Sequence, residues 1–353
     1  MGAMTEHAMD DAVPRPPRRK RYRGKNPRNF DEKYKERDPI RYAETVAKVI
    51  ASGKTPAGSH IPIMMDECLE ALALAPGMIG VDATLGYGGH AARILERISP
   101  GGMLIGADQD PIELPKTERR LRDRGFGPEC FVAVRSNYAG IAKLLAERDM
   151  RADFVFADLG CSSMQFDDPS RGFSFKYDGP LDMRMNPTRG LSASDWLART
   201  DATKFERVLR ENADEPNAEL IAMELAGRKF LTTSQLAIAI QSISAIRDDE
   251  KDLTLRRVFQ AIRIAVNEEF TALDAFLRSL PDCLKPGGRV AILTFHSGED
   301  RRVKKCFQAG LRDGVFSDIS NGVITASAEE RHMNPRSTSA KLRWAVRTKF
   351  RPL

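Results

Sequence analysis

A glycine-rich stretch at residues 81–90 combines the residue types that a ligand-binding turn needs. It reads VDATLGYGGH: an apolar run ends at an aspartate, and three glycines follow within four positions. A strand that enters such a turn and continues into a helix lets a ligand approach the main chain at the helix N-terminus. Gly86-x-Gly88-x-x-Ala91 fits the relaxed dinucleotide pattern, and Asp108 follows about 20 residues later, where a partner for ribose hydroxyls is expected. The stretch predicts a nucleoside or dinucleotide site, and a tight turn without a ligand fits it equally well.

Alternating strand and helix patterns surround this turn. The stretches MIGVDATLG, GGMLIGADQD, CFVAV and ADFVFADLG read as buried strands, and HAARILERI, PIELPKTERRLRDRG and YAGIAKLLAERD read as the helices between them. Such alternation predicts an α/β fold, a doubly wound parallel sheet covered on both faces, with its ligand crevice at the carboxyl ends of the strands. Asp158 ends the fourth strand, where substrate and cofactor should meet, although an aspartate there is also a common N-cap or turn residue.

After Gly160 the alternation stops. Residues 168–252 contain a loop rich in Gly and Pro, followed by helical patterns that include TTSQLAIAIQSISAI with a threonine N-cap. They are predicted to form an all-helical insertion in an α/β domain of residues 60–167 and 253–353. One long helix, TLRRVFQAIRIAVNEEFTALDAFLRSLPDCL, should lead back into the sheet, which resumes with KPGGRVAILTFHS and ends with SAKLRWAVRTKF.

Composition narrows the class of protein. No apolar run reaches the ~18 residues of a membrane helix, and the N-terminus lacks the apolar region of a signal peptide. The five cysteines are scattered and form no C-x-x-C pair, so neither a disulfide framework nor a zinc site is expected. These features predict a soluble, cytoplasmic protein without a metal ion.

The net charge of +6 is unevenly distributed. Residues 14–29, PRPPRRKRYRGKNPRN, hold basic side chains and no acid. Such a segment is expected to be disordered and commonly binds nucleic acid by neutralising phosphates, and a solubilising extension is an equal alternative. All of residues 1–59 are predicted to form a basic, disordered extension, in which DPIRYAETVAKVIASGK is an amphipathic helix that docks on the main body.

Two enzyme classes fit the predicted crevice. A nicotinamide oxidoreductase needs a proton-transfer residue in a separate substrate domain, and no histidine or lysine has an obvious position for that role. Methyl transfer needs less of the protein, because a sulfonium cofactor is intrinsically electrophilic and the protein mainly aligns the nucleophile and excludes water. The residues therefore favour methyl transfer.

Six stretches between His60 and Lys349 carry a more specific signal. They are HIPIMMDECLEAL, DATLGYGGHA, ADLGCSSMQFDDPSRGFSFKYDGPLDMRMNPTRGLSASDWL, FQAIRIAVNEEF, PGGRVAILTFHSGEDRRVKK and NPRSTSAKLR. Together, in this order, they resemble the ribosomal RNA small subunit methyltransferase H family, also called MraW. The resemblance implies a class I S-adenosylmethionine-dependent methyltransferase, with a seven-stranded Rossmann-like sheet interrupted by a helical domain. It also implies methyl transfer to N4 of a cytidine in the decoding region of small-subunit ribosomal RNA, free or in the assembled small subunit, with a homodimer left open.

The resemblance assigns residues to the cofactor. Those expected to contact S-adenosylmethionine are Gly88, Gly89 and His90 at the methionine and ribose part, Asp108 at the ribose hydroxyls, Tyr138 at the adenine, and Asp158 and Gln165.

The residues that would handle the target cytidine are hypotheses. N4 is a poor nucleophile because its lone pair is delocalised into the ring, so acceptors for its amino hydrogens are needed. Asp158 and Asp182 are the candidates, and the backbone carbonyls of residues 159–162 are an equal option. For Asp182, a salt bridge to Arg184 or Arg171 is an equal alternative. Further candidates are Phe173, Phe175, Met183 and Met185 for the cytosine ring, two of which should instead anchor their loop. For the RNA the candidates are Arg184, Arg301, Arg302, Lys304, Lys305, Arg336, Lys341 and Arg343, some of which should merely be solvated.

Departures from the family pattern leave alternatives open. Gly298 stands where the family has leucine in FHSLEDR, and Thr338 replaces an arginine. Cys161 makes DLGCSS resemble the DAPCSG motif of RNA cytosine-C5 methyltransferases, but their second cysteine, in a Thr-Cys pair, has no counterpart at Thr294-Phe295. The carbon-5 reaction and a non-catalytic RNA-binding assembly factor on the same fold are the alternatives.

Overall fold

A mixed eight-stranded sheet organises residues 62–349, the part of the chain that this computed structural model describes. The strands are β1 Ile79–Asp82, β2 Met103–Asp108, β3 Phe131–Arg135, β4 Ala152–Asp158, β5 Leu284–Thr294, β6 Phe316–Ile319, β7 Ile324–Thr325 and β8 Lys341–Arg347. Their order is β3-β2-β1-β4-β5-β8-β6, with β7 paired to β8. Strands β1 to β5 pair in parallel, whereas β8 runs antiparallel to β5 and β6. The α/β fold is confirmed, and β7 is an addition to the expected path of seven strands.

Helices fill the connections between the strands. They are α1 Met65–Leu72, α2 Gly89–Ile98, α3 Glu113–Asp123, α4 Ile141–Ala146, α5 Ser163–Asp167, α6 Ala193–Ala198, α7 Ala202–Ala213, α8 Ala218–Leu225, α9 Thr233–Gln241, α10 Asp248–Val266, α11 Glu269–Cys283, α12 Ser297–Arg312 and α13 Ala328–Met333. The predicted threonine N-cap is Thr232, whose side chain accepts the backbone N–H of Gln235 at the start of α9. No helix within residues 62–349 is long and apolar enough to cross a membrane. The basic extension and its docking helix lie outside the described residues.

The alternation of side chains along β4 divides the core into two layers. Val155 and Ala157 belong to an apolar cluster shared with α4, α11 and α12, whereas Phe154 and Phe156 belong to a cluster shared with α1, α2 and α3. Successive residues of a strand point to opposite faces, so the two clusters cover the two faces of the sheet. Burial on both faces explains why the central strands read as continuous apolar runs.

Helices α6 to α10 share a third apolar cluster, which extends from Leu181 to Ile262 and is centred on residues such as Phe205 and Leu236. Helix α10 supplies Leu255 and further residues to this cluster, so it runs across the boundary predicted at residue 252. The division into an α/β domain and a helical insertion stays a prediction.

The predicted single long helix before β5 is wrong, because the structure divides it into α10 and α11. The break lies at Asn267 and Glu268, and Glu268 adopts a left-handed backbone with φ of 51°. Asn267 turns its amide onto a neighbouring loop, where its Oδ1 accepts the N–H of Met185 at 2.7 Å and its Nδ2 donates to the carbonyl of Met183 at 2.8 Å. Contacts with a distant segment thus interrupt a helix that local periodicity would continue.

Candidate active site at the carboxyl ends of β1, β2, β4 and β5

The glycine-rich turn after β1 is packed closely by the protein itself. A Cβ on Gly88, whose φ is 82°, would lie 2.8 Å from Thr117 Cγ2, and a Cβ on Gly89 would lie 2.6 Å from Pro62 Cγ. Gly88 therefore combines a left-handed backbone with a contact on α3, and Gly89 packs on the segment before α1. Contacts within the protein therefore explain part of the need for glycine at these two positions. A cofactor would contact only the main chain of both residues.

The third glycine borders open space. Around Gly86, Thr84 O at 3.7 Å is the only described atom within 4 Å of a Cβ position. Helix α2 begins immediately afterwards, and its described residues give it neither a side-chain cap nor an acid in the first turn. The first N–H groups of a helix need acceptors and favour negative charge. The turn therefore fits the carboxylate of an amino-acid-bearing nucleoside.

Asp108 holds the turn against the end of β2. Its Oδ2 accepts the N–H of Gly86 at 2.8 Å, and its Oδ1 accepts the N–H of Asp110 at 2.9 Å. Burial raises the pKa of Asp108 above its ordinary value. A carboxylate oxygen can accept more than one hydrogen bond, so ribose hydroxyls can still be bound. That role stays a prediction.

Asp158, at the end of β4, and His90, in the first turn of α2, lie side by side. His90 Nε2 lies 3.0 Å from the carbonyl of Ile63, and its Nδ1 lies 3.6 Å from Asp158 Oδ2. Its ring centroid lies 4.7 Å from that of Phe156. Burial lowers the pKa of His90 to about 4, so the imidazole is neutral near pH 7. His90 thus forms the wall beside Asp158, and its contact with the cofactor stays a prediction.

Asp158 carries an unmatched polar atom at the crevice. Its Oδ1 is buried and has no hydrogen-bond partner among residues 62–349. Burial, with a smaller effect of the charges of Asp82 and Glu299, raises the pKa of Asp158 to about 8. Since Asp158 pairs with Leu293 in the β4–β5 register, it lies where two parallel strands end together. A buried acceptor without a partner at such an edge is a typical ligand-binding feature.

Two other predicted cofactor residues have internal hydrogen bonds. The hydroxyl of Tyr138 donates to the carbonyl of Glu269 at 3.1 Å, which leaves the ring faces for packing. Gln165 caps its own helix, because its Oε1 accepts the N–H of Ser162 at 3.1 Å, and its Nε2 donates to Asp110 Oδ2 at 2.8 Å. Both side chains are positioned at the crevice by these bonds, and their contact with the cofactor stays a prediction.

A buried arginine fixes the loop that follows α5, a role that the sequence reasoning missed. Arg171 Nη1 donates to Asp110 Oδ2 at 2.9 Å, and its Nη2 donates to the carbonyls of Arg184 and Met185 at 3.1 and 2.9 Å. Asn267 holds the same loop from the helix break. We call Arg171, Asp110, Gln165 and Asn267 the loop clamp. The stretch RGFSF…DGPLDMRM was the available signal, although Asp110 lies 61 residues from Arg171.

The structure favours the salt bridge over catalysis for Asp182. Its Oδ1 accepts Arg184 Nε at 2.8 Å, and its Oδ2 accepts Arg184 Nη2 at 2.7 Å. Of the two arginines predicted as partners, Arg184 is confirmed, whereas Arg171 pairs with Asp110 instead. A role for Asp182 at the reacting amino group stays a prediction that this geometry does not favour.

The four apolar residues that were predicted to contact the cytosine ring are largely buried and anchor their own loop. Met183 is fully buried in the helical cluster, so its contact with substrate stays a prediction that this burial does not favour. The ring centroid of Phe175 lies 5.2 Å from that of Phe259, a member of the same cluster. Phe173 is 3% exposed and Met185 is 7% exposed. The loop is therefore pinned by its apolar residues, and little of their surface is left for a base.

Most of the predicted RNA-binding cations lie beside acids, and the exposed Lys304 and Lys305 are the exceptions among the described residues. Besides the Arg184 pair, the partners are Asp214 for Arg301 at 3.3 Å, Asp167 for Arg336 at 2.8 Å and Asp300 for Lys341 at 3.7 Å. Arg301 and Arg336 keep about half of their side chains exposed, 52% and 50%. Their contact with RNA stays a prediction, and the neighbouring carboxylates partly neutralise their positive charges.

The end of β5 explains one departure from the family pattern. A Cβ on Gly298 would lie 2.6 Å from Phe270 Cζ, so the ring of Phe270 occupies the space that a leucine would need. Beside it, His296 Nε2 lies 3.2 Å from Glu299 Oε1, but neither ring nitrogen has a well-aligned hydrogen bond to the described residues. Although burial raises the pKa of Glu299, His296 and the N–H of Phe295 lower it below its ordinary value overall.

The strand order, with antiparallel β8 between β5 and β6, and the glycine turn after β1 define a class I S-adenosylmethionine-dependent methyltransferase. The chain belongs to the MraW methylase family, whose model matches residues 57–348. It is similar to ribosomal RNA small subunit methyltransferase H 1 of Lachnoclostridium phytofermentans, with 47% identity over 98% of this chain and 96% of that protein. It is also similar to ribosomal RNA small subunit methyltransferase H of Symbiobacterium thermophilum, with 40% identity over 82% of this chain and 96% of that protein.

A solved structure described as a putative rRNA-methylase from Clostridium thermocellum is similar at a TM-score of 0.41, with 11% identity over 82% of this chain and 99% of that chain. The fold class is defined by the strand order. Methylases of the MraW family use S-adenosylmethionine as the methyl donor, and the open Gly86 turn and the unpartnered Asp158 oxygen fit that cofactor.

Proposed function

We propose that this protein transfers a methyl group from S-adenosylmethionine to N4 of a cytidine in the decoding region of small-subunit ribosomal RNA. Membership of the MraW methylase family and the names of its relatives support the RNA substrate. The observation that carries the choice of chemistry is the buried, unpartnered Oδ1 of Asp158 at the carboxyl end of β4. An acceptor in this place suits an amino group better than a ring carbon.

The chain's own residues have a limited task in this reaction. The cofactor supplies a methyl group made electrophilic by its sulfonium. With the cofactor bound, N4 would form the bond to the methyl carbon as the carbon–sulfur bond breaks, and the amino group would give one proton to the Asp158 carboxylate. Asp158 in its carboxylate form accepts a hydrogen bond from the amino group and directs its lone pair toward the methyl carbon. The neutral His90 and the loop clamp keep the shape of the crevice around this carboxylate.

The carbon-5 reaction receives less support. It requires a reactive thiolate, and burial raises the pKa of the Cys161 thiol well above its ordinary value. The thiol form is a poor nucleophile. At the end of β5, Phe295 follows Thr294 where a second cysteine would be needed. We therefore assign Cys161 to packing within the turn after β4.

The remaining parts of the proposal concern partners and organisation. The RNA is presented either naked or in the assembled small subunit, a homodimer stays open, and a cytoplasmic location follows from such a substrate. Residues 168–252 are proposed as the inserted helical domain, whose separate apolar cluster supports this assignment.

The test uses methyl-labelled S-adenosylmethionine with unmethylated small subunits and, separately, with naked ribosomal RNA, followed by nucleoside mass spectrometry. We expect label in N4-methylcytidine. Cys161→Ser serves as the matched variant and should retain this product. Label in 5-methylcytidine that disappears in Cys161→Ser would overturn the N4 assignment, and no label in either substrate despite cofactor binding would point to a non-catalytic RNA-binding factor.

A further inference from the structure

His296, which follows the end of β5, carries a buried polar atom that the proposed reaction leaves unused. Its Nδ1 has no hydrogen-bond partner among residues 62–349, and the same is true of Asp158 Oδ1 at the end of β4. Apart from Nε2 of the same ring, the other buried side-chain atoms of this kind lie on α3, on α6 and after α7, outside these two strand ends. Because buried polar atoms are usually hydrogen-bonded, two unmatched atoms at neighbouring strand ends indicate one ligand that contacts both.

The two atoms belong to the same part of the crevice. Asp158 pairs with a residue of β5 that lies three positions before His296 in the sequence. The turn after β4 contacts this segment, because a Cβ on Gly160 would lie 3.8 Å from Phe295 Cδ2. After burial, nearby charges that include Glu299 raise the pKa of Asp158. The segment of His296 therefore lies beside the turn that follows Asp158.

Glu299 determines which nitrogen of His296 is the acceptor. Its side chain is buried, and its Oε2 accepts the N–H of Phe295 at 2.9 Å. Its Oε1 lies 3.2 Å from His296 Nε2. A carboxylate in this place stabilises the tautomer that carries its proton on Nε2, and the lone pair is then on Nδ1. In this tautomer, Nδ1 accepts a hydrogen bond and cannot donate one.

Neighbouring side chains hold the His296 ring beside the crevice. Its centroid lies 5.6 Å from that of Phe270, and the guanidinium carbon of Arg302 lies 3.8 Å from the Phe270 centroid. Glycine at position 298 leaves room at the acceptor atom, because a Cβ on Gly298 would lie only 3.3 Å from Nδ1. The side chain of His296 is 12% exposed although Nδ1 itself is covered, so a base that enters the crevice reaches this nitrogen after a small rotation of the ring.

We propose that His296 Nδ1 accepts one hydrogen of the amino group of the target cytosine and thereby selects cytosine against uracil. The amino group has two hydrogens, and Asp158 Oδ1 and His296 Nδ1 provide one acceptor for each. Uracil carries an oxygen at this position, and two acceptors would repel it. His296 takes up no proton, because the proton released in the reaction goes to Asp158. The inference rests on the proposed function, since the base that it names is the target cytidine.

The experiment compares two substitutions of nearly equal size, His296→Asn and His296→Leu, in the full-length protein. Asparagine keeps an acceptor oxygen near the position of Nδ1, whereas leucine has none. RNA fragments from the decoding region carry either cytidine or uridine at the position that the wild-type protein methylates, and their binding is measured in the presence of S-adenosylhomocysteine. Turnover is measured with methyl-labelled S-adenosylmethionine. The matched control is His332→Leu, which changes an exposed histidine on α13.

We expect the wild-type protein, His296→Asn and the His332→Leu control to bind the cytidine RNA about 10-fold more tightly than the uridine RNA. In His296→Leu this preference should fall to about twofold, and turnover should be about 10-fold lower than in His296→Asn. Binding of S-adenosylmethionine should be the same in all four proteins. If His296 merely supported the fold, its loss could lower turnover but would leave the preference for cytidine unchanged.

The outcomes separate this inference from the proposed function. If the wild-type protein forms N4-methylcytidine but His296→Asn and His296→Leu show the same preference, the acceptor role is wrong and the proposed function survives. Equal binding of both RNAs by the wild-type protein would also overturn the acceptor role. If the wild-type protein binds S-adenosylmethionine but forms no N4-methylcytidine, the proposed function fails. Should either variant lose S-adenosylmethionine binding, the longer pair His296→Gln and His296→Met is compared in the same way, with the same expected results.

Discussion

Two neighbouring regions of the crevice differ in how well their polar atoms are satisfied. In the loop clamp, Arg171 donates to Asp110 and to two carbonyls, and Asn267 uses both atoms of its amide. At the ends of β4 and β5, Asp158 Oδ1 and His296 Nδ1 are buried without a hydrogen bond to the described residues. A buried polar atom without a partner costs about 1–3 kcal/mol. The comparison indicates that the clamp maintains shape, whereas the strand ends retain unsatisfied atoms for a ligand.

The largest effect is expected from breaking the clamp. Arg171→Met leaves Asp110, which is 1% exposed, without its charged partner. Loss of one member of a buried pair costs about 3–5 kcal/mol. We expect the free energy of unfolding to fall by about this amount in urea titrations, together with loss of RNA methylation.

Two further variants test this interpretation. Arg210→Met, which removes an exposed partner of Glu206, should cost at most about 1 kcal/mol. Addition of Asp110→Asn to Arg171→Met should recover part of the stability, because no unpaired charge remains. If Arg171→Met is as stable as the Arg210→Met control, the clamp does not stabilise the fold.

The second effect tests the unsatisfied region. Asp158→Asn preserves the size of the side chain but removes its negative charge, so we expect kcat for methyl transfer to fall by about 100-fold. Stability near pH 7 should be unchanged or higher, since the variant no longer takes up a proton at this site on folding. Asp153→Asn is the matched control, because Asp153 lies at the other end of β4, paired with Lys285. Normal turnover by Asp158→Asn would remove Asp158 from the chemistry.

These two regions also differ in how far the sequence predicts them. The strands and the site residue Asp158 follow from local patterns, because apolar runs and the residues that end them are neighbours in the chain. The clamp could not be predicted in this way, since Arg171 and Asp110 meet only after the sheet and loop are assembled. The same is true of the break at Asn267 and of the space that Phe270 takes from position 298, both of which depend on distant contacts.

The third prediction uses pH to separate stability from activity. The pKa of Asp158 rises from 3.8 to about 8 because of burial, so the native state keeps a proton that the unfolded chain loses near pH 4. The contribution of this group to stability is therefore complete below pH 4 and is lost as the pH rises through about 8. Activity should instead increase as the pH rises, because the carboxylate form of Asp158 is the acceptor.

We expect kcat/KM for RNA to rise by about tenfold per pH unit below pH 8 and then to level off. Over the same range the melting temperature of the wild-type protein should fall more steeply than that of Asp158→Asn. Asp82, whose pKa is raised to about 7 mainly by burial, titrates in both proteins, so only its electrostatic coupling to Asp158 remains in the difference. Parallel melting curves for the two proteins would show that Asp158 is already ionised in the native state.

The smallest effect is expected at Asp182, which lies on the clamped loop but pairs with Arg184 rather than with the clamp. Both side chains are partly exposed, 24% and 22%, so the pair is worth at most about 1 kcal/mol. Asp182→Asn should therefore keep turnover within about twofold, and Arg184→Gln should match it in stability, with a double variant that is no worse than either. Asp182→Asn could instead lose about as much turnover as Asp158→Asn while keeping normal stability and cofactor binding. That result would make Asp182 a second acceptor at N4, and the loop would then contribute to the chemistry as the strand ends do.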